Sequence, residues 1–134
     1  MRATHYQLGR AAQLLGVSAD TLRRWVDAGR LRSERDAAGR RTIAAVDLAA
    51  FATEIGDSGE HPLARPRTSN RNTFPGLVTR VVRGDVMAQV EIQAGAFRVV
   101  SLLSTEAVDE LGLEPGAEAV ACVKATNVTV EVPS

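Results

Sequence analysis

At 134 residues the chain has room for one ordinary domain or two small ones, and 45% hydrophobic with 24% charged residues is a globular balance. The single cysteine, Cys122, excludes an internal disulfide. No apolar run nears the roughly 18–20 residues of a bilayer span and neither end has the pattern of a secretory signal, so a cytoplasmic protein with no membrane role is expected.

The net charge of zero hides a split: residues 1–67 hold 11 Arg against 8 acids, and residues 68–134 hold 5 Lys and Arg against 8 acids. A positive front half suggests a polyanionic partner for that half alone. With aromatics at only 4%, each half must build its core from Ala, Val, Leu and Ile, which favours oligomerisation as a further source of burial.

In chain order, Ala11, Ala12, Leu14 and Leu15 predict a short helix. Gly16-Val17-Ser18 then makes a turn in which Ser18 caps a second helix over 19–28. Leu22, Trp25 and Val26 recur at helical spacing and face a core, leaving Asp20, Thr21, Arg23, Arg24 and Asp27 outward. Gly29 stops that helix. Residues 31–35 and 40–43 predict two short strands joined by a turn at Asp36-Ala37-Ala38-Gly39, and a third helix from Ala45 sets Val46, Leu48, Ala49 and Phe51 against the others. His5, in a terminus, and His61, in a linker, are assigned to solvent.

Residues 56–68 are polar, broken by Pro and Gly, and aperiodic, the composition of a linker. Beyond them the period becomes two. Strands are predicted at 77–82, at 86–92 (Val86, Ala88, Val90 and Ile92 inward; Met87, Gln89 and Glu91 outward), at 97–103, at 117–124 and at 128–132. A single helix over 105–111 ends at Gly112. Cys122, on an alternating strand, reads equally as a packed or a half-exposed thiol. The expected class is α+β in two domains: a winged helix-turn-helix over 1–55, a linker over 56–68, and over 69–134 a five-stranded OB-like β-barrel with one helix.

The segment Ser69-Asn70-Arg71-Asn72, followed by Phe74-Pro75-Gly76, and the later Lys124-Ala125-Thr126-Asn127-Val128 supply cations and small hydrogen-bond donors with no carboxylate or imidazole beside them. That chemistry suits holding a small dianion and lacks a group poised for proton transfer or nucleophilic attack, so an enzyme is not expected. Alternatives stand beside each residue: Ser104 or Thr105 as a helix cap, Lys124 as a strand end in water, Arg71 paired with Glu131.

Residues 6–53 resemble the winged helix-turn-helix of excisionase and MerR-like regulators. The likeness lies in Ala11-Ala12-Gln13-Leu14-Leu15-Gly16-Val17-Ser18, Thr21-Leu22-Arg23-Arg24-Trp25, Ala28-Gly29-Arg30-Leu31 and a basic wing. The resemblance implies that the helix after the turn enters the major groove of an operator, with Ser18, Thr21, Arg23 and Arg24 toward bases and phosphates and Arg40 and Arg41 reaching the backbone or minor groove.

Residues 69–132 resemble the Mop, or molbindin, domain of TOBE type. The pieces are the opening Ser-x-Arg-Asn with Phe and Gly after it, the Ser104-led helix, Leu111-Gly112-Leu113 with Gly116, and Lys124-Ala125-Thr126-x-Val128. The resemblance implies binding of molybdate, or tungstate, as an intact oxyanion with no protein ligand to the metal and no catalytic cofactor. Arg71 and Lys124 would supply charge, Ser69 and Ser104 hydroxyls, and Ala125 a main-chain N–H. Ala107 stands where the family often has a further hydroxyl. The resemblance also implies a homo-oligomer, at least a dimer and up to a trimer of dimers, in which the Ser-x-Arg-Asn strand of one chain meets the Lys-Ala segment of another. Together the two resemblances imply a molybdate-responsive transcription regulator. The alternatives are a molybdate store with little DNA binding, or a regulator whose Mop domain only assembles the oligomer.

Overall fold

The structure, a computed structural model, describes residues 4–57 and 67–133. The chain divides into two compact units, Met1–Glu60 and His61–Ser134, each with its own hydrophobic cluster.

In the first unit α1 (Leu8–Leu15) ends where Gly16 takes φ 73°, and α2 (Ala19–Asp27) starts at Ser18, whose Oγ accepts the Thr21 N–H at 3.1 Å. That cap satisfies one of the unpaired amides at the helix start. Leu22 and Val26 pack with Ala11, Ala12, Leu31, Ile43, Leu48 and Phe51, with Trp25 partly buried against them. A three-stranded antiparallel sheet, in the order β1-β3-β2, is formed by β1 (His5–Gln7), β2 (Glu34–Arg35) and β3 (Arg41–Ala44), and α3 (Ala45–Asp57) follows without a break.

Several expectations change here. The strand β1 has no counterpart in the sequence reading, and it carries His5 to 2.9 Å from Glu34 Oε2, so this histidine has a partner as well as solvent. β2 is two residues long because Leu31 is spent as a buried core residue. Among the described residues of α3 only Leu48 and Phe51 are buried. Val46 is 76% exposed, since it lies two residues, or about 200°, around the helix from Leu48, and Ala49 is also exposed. The helix runs to Asp57, into the expected linker, while 58–66, with His61, lies outside the described residues.

The second unit is one antiparallel sheet in the order β6-β5-β4-β7, from β4 (Asn72–Arg83), β5 (Met87–Ala94), β6 (Phe97–Ser104) and β7 (Glu118–Val123), with α4 (Thr105–Leu111) between the last two. β4 serves two neighbours: its first half pairs β7 and its second half pairs β5, with a register shift between Val78 and Arg80. Gly76 lies where the two pairings hand over, and a Cβ there would collide with the Gln93 carbonyl oxygen. The glycine of the Phe-Pro-Gly run is therefore required by packing. Gly112, at φ 66°, donates to the carbonyls of Val108 and Asp109 and closes α4.

Val78, Ala88, Val90, Ile92, Val108 and Ala121 form the core. Val86 precedes the strand and is 73% exposed, against its expected inward place. Glu91, expected outward into water, is buried. Residues 128–132 pair with nothing as a strand, so the sheet has four strands where five are expected and the barrel stays open between β6 and β7.

Candidate functional site

The last ladder pair of β4 and β7 is Asn72 with Val123, and Asn72 Nδ2 donates to the Val123 carbonyl at 3.2 Å. One residue beyond that pair on each strand stand Arg71 and Lys124. The register thus brings Ser69, Arg71, Lys124 and Ala125 to one end of the sheet in a single chain, whereas the sequence reading assigns the two segments to different chains. Arg71 and Lys124 are both exposed, and among the described residues neither has an ion-pair partner; the alternative pairing of Arg71 with Glu131 is not made. If the antiparallel pairing continues one step, their backbones stand about 5 Å apart, and like charges on adjacent strands make this end of the sheet electropositive. Lys124 also precedes a 3₁₀ turn over Ala125–Asn127, whose first amides are not consumed by the ladder.

Ser104 is elsewhere. It pairs with Met87 at the far end of β5, and Thr105, its neighbour, donates through both N–H and Oγ1 to the β4–β5 turn at Val86 and Gly84. The 12-residue β4 separates that turn from Arg71, on the order of 40 Å along a regular strand. Ser104 is the N-cap of α4: its Oγ accepts the Ala107 N–H at 3.0 Å. Capping uses only the acceptor side of the hydroxyl and leaves its O–H free to donate.

Arg98 donates to the buried Glu91 carboxylate, and Gln89 Nε2 adds a contact at 3.3 Å. The Arg98 hydrogen bond, opposed by burial and aided by the charges of Arg98 and Arg80, holds the Glu91 carboxyl below its ordinary value of 4.5. This pair fastens β5 to β6.

On the first unit, Ser18 caps α2 and its Oγ also donates to Thr21 Oγ1 at 2.9 Å, so both hydroxyls are engaged locally. Arg23 pairs with Asp20 at 3.0 Å, and Arg24 reaches Thr21 Oγ1 at 3.4 Å. Both arginines of the basic wing have acidic partners. Arg40 lies 3.5 Å from Asp36 within the turn, and Arg41 is drawn back 3.0 Å from Asp27 at the end of α2. The Arg41–Asp27 pair ties β3 to the helix whose outward face is the candidate reader. Arg30, which the sequence reading leaves without a role, sits 5.4 Å from the Trp25 ring and 5.6 Å from Phe51, themselves edge to face at 5.4 Å. Asn72 is the second omission; its place in Ser-x-Arg-Asn was the available signal.

One unit is a helix, turn and capped helix over a small sheet, and the other an open antiparallel sheet with two cations at one end that have no ion-pair partner among the described residues. A TOBE domain matches residues 68–130, and a MerR family regulatory protein domain matches residues 8–43. Among curated relatives, molybdenum-pterin-binding protein 2 of Clostridium pasteurianum is 40% identical over 63 residues, 46% of this chain and 93% of that protein. A probable molybdenum-pterin-binding protein of Haemophilus influenzae is 45% identical over 67 residues, 49% of this chain and 97% of that protein. A solved structure of MopII from Clostridium pasteurianum has a TM-score of 0.46 at 38% identity, over 48% of this chain and 98% of that one. Through its second unit the chain belongs to the TOBE-domain family of molybdenum-pterin-binding, or Mop, proteins, and its first unit carries a MerR-family domain.

Proposed function

We propose that this protein is a molybdate-responsive DNA-binding regulator, its second unit binding molybdate or tungstate as an intact oxyanion and its first unit binding operator DNA. The observation that carries the reading is that Arg71 and Lys124, exposed and without an ion-pair partner among the described residues, each stand one residue beyond the last β4–β7 ladder pair. A tetrahedral dianion relieves their repulsion, with the Ser69 hydroxyl and the Ala125 N–H as directed donors. Ser104 lies at the other end of β4, so a site that also uses its O–H takes it from a second chain. This supports a homo-oligomer of at least two subunits, up to a trimer of dimers. The chemistry is binding; no step of catalysis is assigned, and no catalytic cofactor.

In the first unit, α2 presents Ser18, Thr21, Arg23 and Arg24 to the major groove, with Arg40 and Arg41 toward the sugar-phosphate backbone. Ligand filling an interface shifts the population of arrangements of paired DNA-binding units, which is the proposed coupling. Titration calorimetry with molybdate, tungstate and sulfate on the full chain tests the reading. Micromolar or tighter binding of the first two, lost in Arg71→Ala and Lys124→Ala, is the expected result, and heat-free titrations with the unmodified protein overturn it.

A second reading, an oxyanion store with little DNA binding, draws on the ion pairs of Arg23, Arg40 and Arg41 with Asp20, Asp36 and Asp27, since DNA must displace those acids. Salt-dependent operator binding separates the two.

A further inference from the structure

Lys124 is the only lysine in the chain; the other 15 of its 16 Lys and Arg are arginines. Guanidinium and ammonium both supply charge, but of the two only a primary amine is readily acylated, and acylation erases its charge. This one side-chain amine stands at the same end of the sheet as Arg71, exposed and, among the described residues, without an ion-pair partner. Its backbone is fixed from both sides. Asn72 Nδ2 donates to the Val123 carbonyl at 3.2 Å, and the Asn127 N–H donates to the carbonyl of Lys124 itself at 2.9 Å.

An acyl phosphate carries the kind of head group that such an end of a sheet attracts, a doubly charged tetrahedral oxyanion. Once that head is held, the electrophilic acyl carbon is one bond from the held oxygen, and attack by a neighbouring amine becomes a step within a complex. We propose that Lys124 is an acylation site, modified by acyl phosphates whose phosphate is held by Arg71 and the Ser69 hydroxyl. The neutral Nζ attacks the acyl carbon, and the bond from that carbon to the phosphate oxygen breaks with its electron pair passing to oxygen. Inorganic phosphate leaves, taking up through water the proton that the nitrogen sheds. The product is an uncharged amide, so this end of the sheet keeps one cation and its hold on an oxyanion falls by about tenfold. This rests on the oxyanion-binding part of the proposed function and uses the charge and shape of the ligand, not its metal.

The full chain is incubated with acetyl phosphate and, separately, with the N-hydroxysuccinimide ester of acetic acid, a donor with no anionic head to capture. Peptide mass spectrometry, after hydroxylamine has stripped any thioester from the exposed Cys122, measures the amide at Lys124. The quantity read is the ratio of the two acetylation rates, in the unmodified protein and in Arg71→Ala. That ratio is expected to fall about tenfold in Arg71→Ala, because only the phosphate donor uses the arginine. An unchanged ratio, or no amide at Lys124 from acetyl phosphate, overturns the proposal. Molybdate titration of the unmodified and the acetylated protein keeps the two readings apart. Arg71-dependent acetylation without molybdate binding defeats only the molybdate reading, molybdate binding without such acetylation defeats only the acylation site, and equal affinity before and after acetylation overturns the loss of hold.

Discussion

Asn72 Nδ2 donates to the Val123 carbonyl across 51 residues of sequence, and the two residues flanking that bond are the cations Arg71 and Lys124. The amide is thus the hinge pin between a scaffold and a charge pair. Asn72→Ala is expected to cost about 1 kcal/mol of stability in urea titrations. It should also weaken molybdate binding by about tenfold, because the two cations lose their fixed separation. Arg71→Ala, on an exposed residue without an ion pair, should change stability by no more than about 0.5 kcal/mol while removing the molybdate-induced rise in Tm.

Ser104 holds a cap and is proposed to lend a donor, and two substitutions divide those duties. Ser104→Ala should lower stability by about 1 kcal/mol through the lost cap. Ser104→Asp keeps a capping oxygen and so should fold nearly as well, yet its charge opposes a dianion. Loss of molybdate binding in the aspartate variant, by calorimetry, with near-normal denaturation, is the expected outcome; unaltered affinity removes Ser104 from the site.

Asp27 holds Arg41, which is proposed to face the DNA backbone, at 3.0 Å. Asp27→Asn should therefore tighten operator binding at 0.1 M salt by about threefold to tenfold and steepen its dependence on salt, since a released arginine can neutralise one more phosphate. Fluorescence anisotropy over a salt series measures both, and weaker binding by this variant counts against a backbone role for Arg41.

The carboxyl of Glu91 is held low chiefly by its hydrogen bond with Arg98. A lowered folded value means that the unfolded chain binds the proton more readily. The contribution is therefore in place above the ordinary value of 4.5 and lost as pH falls through the lower folded value. Thermal melts from pH 7 to pH 3 should show that decline in the native protein and a flatter profile in Glu91→Gln.

What could be read from the chain was what local chemistry dictates. The bounds of α4 follow from a serine cap and a glycine stop, and the α1–turn–α2 unit follows from Gly16, Ser18 and the spacing of Leu22 and Val26. β1 was invisible because His-Tyr-Gln carries no alternation and forms only against β3, nearly forty residues on. The valines at 128–132 alternate as a strand does, but alternation says nothing of whether a partner edge is within reach. The same limit applied to the charge pair. The motifs singled out Arg71 and Lys124, while their standing at the same end of one sheet is a matter of long-range register. Ion pairs across elements, such as Arg41 with Asp27, depend on tertiary packing in the same way.

The register shift between Val78 and Arg80 gives β4 one residue of slack against β5. Thr79, the residue it absorbs, stands outside the one-to-one pairing, so Val78 and Val81, three positions apart, both face the core. Deleting Thr79 would place Arg80 next after Val78 and leave Val81 inward, with the pairs to Ile92, Glu91 and Val90 in one unbroken ladder. A point deletion at this exposed residue should therefore be tolerated, whereas a deletion within Val81–Arg83 would move the rest of the strand out of phase.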